Sequence, residues 1–245
     1  MNTLSIPKFE NLYIPTVNKK GFMLTNIDAL TRLFIDEAIH PKHHSLFSLD
    51  VGAAYGIATR EVLRKGGSIF ANDTDPTHLA AIESEFLEGK NLKFLVGDIR
   101  HDIHLPISSI SCALFSRVLH FFYGEEIITC LKKVHQWLIP GGKIFVSNET
   151  PYFGTTKRFI PLYEQRKKNN HPWPGLIESL DYFCPEKAPF VDLPVHLFDE
   201  DLCYTVAKES GFTITDLFYM NRNGFFPENA LYDGRESIAF IAQKT

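Results

Sequence analysis

The sequence lacks long hydrophobic runs and any excess of basic charge. Its longest unbroken apolar stretch is about five residues, at 238–242, whereas a helix that crosses a bilayer needs roughly 18. Lys and Arg number 25 against 29 Asp and Glu, a net charge of −4, so no global positive field would attract nucleic acid or an anionic membrane. The first twenty residues contain no apolar block of the kind found in secretory signals. We therefore expect a cytoplasmic protein with neither a membrane nor a nucleic acid as its partner.

Cysteine is scarce as well. The four cysteines are Cys112, Cys130, Cys184 and Cys203, and their spacing fits neither a CxxC redox pair nor the paired ligands of a zinc site. We expect them to be reduced and structural, and we expect no metal site. The sequence also lacks repeats of fixed period and low-complexity tracts, which excludes a solenoid. A length of 245 residues then predicts one domain, or one domain with an insertion.

Short apolar runs alternate with helical patterns along the chain. Runs at 46–51, 69–71, 92–96, 112–115 and 144–146 predict strands. Between and before them lie helical patterns, one of which Thr25 would cap, while Asp75 would cap another with Pro76 at its first position. After residue 198 the alternation resumes with a helix at 199–210 and strands at 212–219 and 237–242. Apolar strands that alternate with helices predict an α/β fold, a mostly parallel sheet with helices on both faces.

Residues 151–198 interrupt this alternation. They hold 7 of the 14 prolines and nine aromatic residues, a composition that indicates an insertion rather than a linker. We therefore divide the chain into an N-terminal arm and helix (1–44), an α/β core (45–150), the insertion (151–198) and a C-terminal completion of the core (199–245).

The most informative stretch is a predicted strand end followed by a turn of small residues. Such a turn lets a ligand approach the backbone closely. A dinucleotide fingerprint would need glycine where the sequence has Ala54 and Ile57, which disfavours an NAD-dependent oxidoreductase. Instead, the D-x-G-x-x-x-G pattern of Asp50, Gly52 and Gly56 resembles the class I S-adenosylmethionine-dependent methyltransferases. Adenosylmethionine carries an ammonium and a sulfonium, which favour a nearby carboxylate such as Asp50.

Further segments resemble the same family in order. The second strand leads to Asp73, which could accept hydrogen bonds from both ribose hydroxyls, and the third leads to a Gly-Asp turn. There Asp98 would accept from the adenine amino group and Ile99 would cover the ring. Segments 112–120 and 138–143 resemble the fourth strand with its loop and the turn into the fifth strand. The cofactor site implied by the resemblance consists of Asp50, Gly52, Ala53, Tyr55, Gly56, Asp73, Thr74, Asp98, Ile99 and Ser116.

The resemblance covers residues 45–148 well and 199–245 in outline. It implies a seven-stranded, mostly parallel sheet with an antiparallel last strand and an insertion after strand five. It also implies that the cofactor, S-adenosyl-L-methionine, lies across the carboxyl ends of strands one to four. The glycine-rich turn departs from the family at Tyr55, which would either close over the methionine part of the donor or pack against the insertion.

The sequence says less about the methyl acceptor. His120, at the carboxyl end of the fourth strand, is the candidate catalytic base for a hydroxyl acceptor, or else a histidine packed under its loop. The N/D-P-P-Y/F segment typical of enzymes that methylate DNA bases or glutamine does not follow the fourth strand, which disfavours those acceptors. The aromatic insertion suits a lid over a mostly apolar acceptor pocket. Residues 12–24, with Lys19, suit either a second cover or a surface arm.

Together these features predict a methyltransferase acting on oxygen or nitrogen of a small organic molecule. A non-catalytic adenosylmethionine-binding regulator or scaffold would keep the same donor residues, so the sequence leaves that alternative open. An NAD-dependent oxidoreductase is the weaker alternative, because the sequence lacks two glycines of the dinucleotide fingerprint.

Overall fold

The computed structural model describes residues 12–18, 21–185, 188, 191 and 194–245. Lys19 of the predicted second cover and Phe190, an aromatic residue of the insertion, lie outside these ranges. Within them, no helix combines the length and the apolar character that crossing a bilayer would require.

The described residues form eleven strands and six α-helices. The strands are β1 (Tyr13–Pro15), β2 (Phe22–Leu24), β3 (Phe47–Val51), β4 (Ile69–Asp73), β5 (Leu92–Val96), β6 (Ile110–Ser116), β7 (Leu138–Glu149), β8 (Leu176–Ile177), β9 (Val195–His196), β10 (Phe212–Met220) and β11 (Ser237–Lys244). The helices are α1 (Ala29–Ala38), α2 (Ile57–Arg64), α3 (Pro76–Glu83), α4 (Gly124–Trp137), α5 (Ile160–Lys168) and α6 (Glu200–Glu209).

Seven strands form one sheet in the order β10-β11-β7-β6-β3-β4-β5. The strands from β7 to β5 run parallel to one another, and β11, the last in sequence, is antiparallel to both β7 and β10. These pairings confirm the predicted α/β class and the antiparallel last strand. The strand order reverses between β3 and β6, and ligands of open α/β sheets bind beyond the carboxyl ends of the strands at such a point.

Helices cover both faces of the sheet. On one face Phe34 of α1, Val62 of α2 and Leu79 of α3 are buried in one apolar cluster. On the other face Leu131 of α4 and Val206 of α6 belong to a second cluster. Full burial of each such side chain stabilises the fold by about 1.5–3 kcal/mol. The two layers therefore hold the strand ends in fixed positions.

The helix caps correct one prediction and confirm another. Asp28, not Thr25, caps α1, because its Oδ1 accepts from the Thr31 N–H at 2.9 Å. The prediction of Thr25 was wrong because this residue directly follows β2, which pairs with β1, and its N–H donates to the Leu12 carbonyl just before β1. Asp75 caps α3 as predicted and accepts from the Thr77 N–H at 2.8 Å.

Two additions lie outside the large sheet. The strands β1 and β2 pair as an antiparallel hairpin, hereafter the N-terminal hairpin. Between β7 and α6, the insertion contains α5 and the small antiparallel pair β8–β9. It packs around an apolar cluster of its own that includes Phe159, Tyr163 and Leu197. Both additions approach the carboxyl ends of the central strands.

Candidate active site

A cavity with about 1140 Å³ of empty volume, partly open to solvent, lies beyond the carboxyl ends of the central strands. It is hereafter the first cavity. Residues at or just after the ends of β3, β4, β5 and β6 line it, namely Asp50, Asp73, Asp98 and Ser116. The N-terminal hairpin lines it from the other side and is tied to the sheet where the Asn18 amide donates to Thr74 Oγ1 at 3.3 Å. The strand order thus brings four of the predicted cofactor residues together.

The turn after β3 is held against the end of β4. The N–H of Ala53 donates to the Asn72 carbonyl at 2.8 Å, and the N–H of Ala54 donates to Asp73 Oδ2 at 2.9 Å. Gly52 has φ +65°, and a Cβ there would lie 2.6 Å from Val118 Cγ2. Because that conformation and that approach both favour glycine, the turn can present its backbone to the first cavity.

Asp50 is almost completely buried in the wall of the first cavity. Its Oδ2 accepts from Thr59 Oγ1 at 2.7 Å. Burial raises the pKa of Asp50 to about 7, opposed by the hydrogen bonds from Thr59 and assisted by the charge of Asp73. A carboxyl group that titrates near neutral pH responds strongly to a bound cation, because positive charge favours its ionised form.

Asp73 already makes several hydrogen bonds. Oδ1 accepts from the Asp75 N–H at 2.9 Å and lies 3.0 Å from His78 Nδ1, while Oδ2 accepts from Ala54. A carboxylate has about four lone-pair sites, so the protein itself already occupies three of those of Asp73. His78 Nε2 accepts from the Val17 N–H at 3.2 Å. His78 therefore links Asp73 to the N-terminal hairpin.

Asp98 lies at the half-exposed side of the first cavity. Arg100 binds both of its oxygens, with Nη2 at 2.7 Å from Oδ2 and Nε at 3.0 Å from Oδ1. Although burial alone would raise the pKa of Asp98, the hydrogen bonds and charge of Arg100 hold it below its usual value. Ile99 is buried and lines the same cavity. Asp98 is therefore ionised at neutral pH beside an apolar surface.

Two of the predicted cofactor residues do not line the first cavity. The hydroxyl of Tyr55 donates to the Pro15 carbonyl at 3.1 Å, and its ring meets His78 edge-on at 5.0 Å. Tyr55 therefore neither lines the first cavity nor packs against the insertion, because its side chain packs against the N-terminal hairpin. Gly56 is the N-cap of α2 with φ +78°, and a Cβ at this position would lie 2.5 Å from Ile82 Cγ1 rather than in the cavity.

A smaller cavity with about 530 Å³ of empty volume contains His120. It is hereafter the second cavity, and it shares Phe22, Arg117 and Phe121 with the first. Its described lining from the insertion is Phe153, Thr156, Leu180, Val191, Val195 and Leu197. The insertion thus borders the cavity of His120 and not that of Asp50, although the two cavities adjoin.

Arg117, Glu149 and His120 form a linked group in the second cavity. Arg117 Nε donates to Glu149 Oε1 at 2.5 Å, and His120 Nδ1 lies 3.0 Å from Glu149 Oε2. Burial would raise the pKa of Glu149, but the positive charge of Arg117 and the contact with His120 hold it well below its usual range. Arg117 Nη1 also donates to the Phe22 carbonyl of the N-terminal hairpin at 3.0 Å. One guanidinium therefore contacts both a cavity carboxylate and the hairpin.

Comparison with known proteins decides the family. Residues 49–146 match the family model for a methyltransferase domain. The structure is similar to an S-adenosylmethionine-dependent methyltransferase from Mesorhizobium loti, with a TM-score of 0.63 and 18% identity over 89% of this chain and 100% of that one. The chain carries a class I methyltransferase domain. This confirms the predicted family, fold and cofactor, S-adenosylmethionine.

Two other similar proteins bear on this domain. The 1,6-didemethyltoxoflavin-N1-methyltransferase of Burkholderia thailandensis, solved with S-adenosylhomocysteine, has a TM-score of 0.58 and 20% identity over 87% of this chain and 81% of that one. Phosphoethanolamine N-methyltransferase 1 of Triticum aestivum is 26% identical over 113 residues, 44% of this chain and 22% of that protein. The matched part is about a fifth of the length of the curated relatives.

The first cavity of the methyltransferase domain fits a cationic donor. Four carboxylates line it, those of Asp28, Asp50, Asp73 and Asp98. Among its described lining residues the only Lys or Arg side chains are Arg100 and Arg117, and each is paired with a carboxylate. A ligand that brings positive charge would therefore meet carboxylates at several points.

Sequence reasoning missed three charged residues of the methyltransferase domain. Arg117 directly follows the predicted Ser116, and its φ of +61° is uncommon for a residue other than glycine. Glu149 ends β7, and the rule that ligands bind at strand ends could have identified it. Asp28 precedes the apolar face of α1 and is of a residue type that caps helices. Each residue carried a local signal, but nothing in the sequence places Arg117 beside Glu149.

Proposed function

We propose that the protein transfers a methyl group from S-adenosylmethionine in the first cavity to a small organic acceptor in the second. When bound, adenosylmethionine supplies an electrophilic methyl group on a positively charged sulfur. The observation that carries the proposal is that the two cavities adjoin at Phe22, Arg117 and Phe121. Methyl transfer needs the acceptor atom in line with the methyl group and the sulfur, and adjoining cavities supply that proximity.

On the donor side, the cavity residues take the roles that their geometry allows. Asp50 faces the ammonium and sulfonium, and Asp73 accepts from one ribose hydroxyl. Asp98 accepts from the adenine amino group while Ile99 covers the ring. Gly52, Ala53, Thr74 and Ser116 complete the wall through their backbone and small side chains.

On the acceptor side, His120 is the candidate catalytic residue and the insertion, residues 151–198, is the lid. Two of the similar proteins methylate nitrogen, that of phosphoethanolamine and N1 of didemethyltoxoflavin. A non-catalytic donor-binding protein remains the competing proposal. The second cavity favours an enzyme, because a binding protein would have no need of a buried His120 beside the donor site.

Titration calorimetry tests the donor site. Adenosylmethionine and S-adenosylhomocysteine should bind and NAD should not. Asp73→Ala should weaken adenosylmethionine binding roughly ten- to a hundredfold, since a hydrogen bond to a charged group contributes about 1.5–3 kcal/mol. Asp75→Ala is the matched control: it removes the cap of α3, costs about 1 kcal/mol of stability and should leave the affinity nearly unchanged. Equal affinity in wild type and a folded Asp73→Ala would contradict the assignment.

An assay for S-adenosylhomocysteine formation with any small acceptor distinguishes an enzyme from a binding protein, because only an enzyme yields this product.

We propose the cytoplasm as the place of this activity. The buried thiols of Cys112, Cys130 and Cys203 support a reducing compartment, because none of these three forms a disulfide.

A further inference from the structure

We propose that His78 is a positioning residue that couples donor binding to the N-terminal hairpin. Through Nδ1 it orients Asp73 for the ribose of the donor, and through Nε2 it holds the hairpin at Val17. The inference rests on the proposed function, because it takes the ribose of adenosylmethionine to bind Asp73. It adds that the hairpin contact and the bound donor stabilise each other.

The N-terminal hairpin is one wall of the first cavity, and side chains from the edge of the sheet hold it by its backbone. The hydroxyl of Tyr55 donates to the Pro15 carbonyl at 3.1 Å, and the Val17 N–H donates to His78 Nε2 at 3.2 Å. The hairpin residues that line the cavity lie between its strands and on β2, namely Thr16, Asn18, Phe22, Met23 and Leu24. His78 therefore joins this wall to the opposite one, which the end of β4 forms.

The two hydrogen bonds of His78 determine its tautomer. His78 is fully buried on the first turn of α3 and lines the first cavity. Because the backbone N–H of Val17 can only donate, Nε2 holds a lone pair and Nδ1 of the neutral imidazole carries the proton. That proton faces Asp73 Oδ1, which lies 3.0 Å from Nδ1. The ring of Tyr55 meets the imidazole edge-on at 5.0 Å and so restricts its rotation.

The same imidazole helps to fix the carboxylate of Asp73. Two of its three donors are backbone N–H groups, those of Ala54 and Asp75, and the third is the side chain of His78. Asp73 is almost completely buried and lines the first cavity. A carboxylate that three donors hold in place presents its remaining lone-pair site in one direction. A ligand hydroxyl in the cavity can then bind it without reorienting it.

The hairpin contact and the orientation of Asp73 thus depend on one ring. If Val17 separates from His78, a buried ring nitrogen loses its partner, and a ring that rotates to find another no longer donates to Asp73. The state in which Val17 is bound is therefore the state in which Asp73 is oriented for a ligand. A ligand that prefers this state shifts the protein towards it, and the hairpin contact raises the affinity for the ligand by the same factor.

The first experiment needs only the wild-type protein. Hydrogen exchange of the Val17 N–H, followed by NMR, is compared without ligand and with saturating S-adenosylhomocysteine. The ligand should slow this exchange by roughly five- to a hundredfold, the usual range for coupled sites. The N–H of Lys65, at the end of α2 and outside both cavities, should exchange at nearly the same rate in both samples.

The outcomes of this comparison separate the coupling from the proposed function. Unchanged exchange at Val17 in protein saturated with S-adenosylhomocysteine would overturn the coupling, and so would equal slowing at Lys65. Failure of S-adenosylhomocysteine to bind would instead overturn the proposed function.

The second experiment separates the two contacts of His78. In His78→Asn the amide nitrogen lies near the position of Nδ1 and can still donate to Asp73, but Val17 loses its acceptor. In His78→Gln the amide oxygen lies near the position of Nε2 and can still accept from Val17, but Asp73 loses its donor. Without ligand, exchange at Val17 should be fast in His78→Asn and close to wild type in His78→Gln. S-adenosylhomocysteine should bind more weakly to both variants and slow the exchange in neither.

Tyr55→Phe is the matched control. It removes the hydrogen bond to the Pro15 carbonyl and leaves both nitrogens of His78 engaged. Exchange at Val17 should become faster without ligand, while S-adenosylhomocysteine should still slow it by the wild-type factor. If His78→Asn keeps the wild-type response to the ligand, or if Tyr55→Phe loses it as well, His78 only supports the fold and the coupling is overturned.

Discussion

The two cavities of this methyltransferase domain are built from different kinds of structure. The first is lined by the ends of β3, β4, β5 and β6, which successive βα units place side by side. The second combines a loop after β6, the end of β7 and an insertion from another part of the chain. A cavity of the first kind belongs to the sheet itself, whereas a cavity of the second kind depends on what is added to the sheet. If the first holds the donor and the second the acceptor, as proposed, specificity for the acceptor can change while donor binding is kept.

We expect the largest effect on stability from a substitution of Arg117, because this residue lines both cavities. Arg117→Gln leaves the buried Glu149 without its guanidinium, and breaking a buried ion pair costs about 3–5 kcal/mol. Urea unfolding at pH 7 should show that loss. Arg64→Gln, which breaks exposed pairs with Glu61 at 2.7 Å and with Glu85 at 2.5 Å, should cost no more than about 1 kcal/mol. Equal losses in the two variants would contradict the burial argument.

The pH dependence of the same variant gives a second check. The pKa of Glu149 in the folded protein lies well below its usual value of 4.5, so the ionised carboxylate contributes stability above that value. This contribution disappears as the pH falls through the folded-state pKa. The difference between wild type and Arg117→Gln should therefore be largest at neutral pH and shrink below pH 4.5. A difference that grows in acid would exclude this cause.

Asp50 lines only the first cavity, so a substitution there tests this cavity separately from the second. Its pKa rises from the usual 3.8 to about 7 in the folded protein. Protonation of Asp50 therefore stabilises the folded state, and this stabilisation is lost as the pH rises from 3.8 through 7. Asp50→Asn can still accept from Thr59 and has no charge to bury. We expect it to raise the free energy of unfolding above pH 7, by at most about 4 kcal/mol, with the gain disappearing towards pH 4.

The same substitution should weaken adenosylmethionine binding, because the cation loses its carboxylate partner. In wild type the affinity should also fall as the pH drops below 7, since the proton and the donor compete for Asp50. Calorimetry at several pH values measures both effects. Stabilisation together with tighter donor binding would show that Asp50 does not face the donor.

Gly52 tests whether the turn must approach Val118. Gly52→Ala places a non-glycine residue at φ +65°, at a cost of about 1–2 kcal/mol, and its Cβ would meet Val118 at 2.6 Å. Gly224→Ala has φ +80° and open space around the new Cβ, so it should show the conformational cost alone. The additional loss of stability and donor affinity in Gly52→Ala should be partly recovered by adding Val118→Ala. No recovery would mean that Val118 is not the obstacle.

The sequence predicted which residues come together in the first cavity better than those of the second, for a physical reason. Asp50, Asp73 and Asp98 each follow a strand, and the regular alternation of strands and helices brings such positions to one edge of the sheet. Tyr55 and Gly56 do not line the first cavity, and the sequence could not show this because a turn of small residues does not reveal which side its residues face. The contact of Arg117 with Glu149 joins residues 32 positions apart, and it depends on the register of β6 with β7. No local pattern encodes that register.

The smallest expected effects come from a crossed pair of apolar substitutions. Leu180→Ala shortens a side chain of the insertion in the second cavity, and Ile99→Ala shortens one in the first. Loss of an apolar contact with a ligand is worth about 1–3 kcal/mol, or roughly ten- to a hundredfold in affinity. Leu180→Ala should therefore weaken binding of 4-nitrophenol, a small and largely apolar probe for the second cavity, while changing adenosylmethionine affinity by less than a fewfold, and Ile99→Ala should do the reverse. Calorimetry with both ligands on both folded variants measures whether each substitution weakens only the ligand of its own cavity. If Leu180→Ala weakens the donor as much as the acceptor probe, the insertion supports the whole site and the two cavities do not act separately.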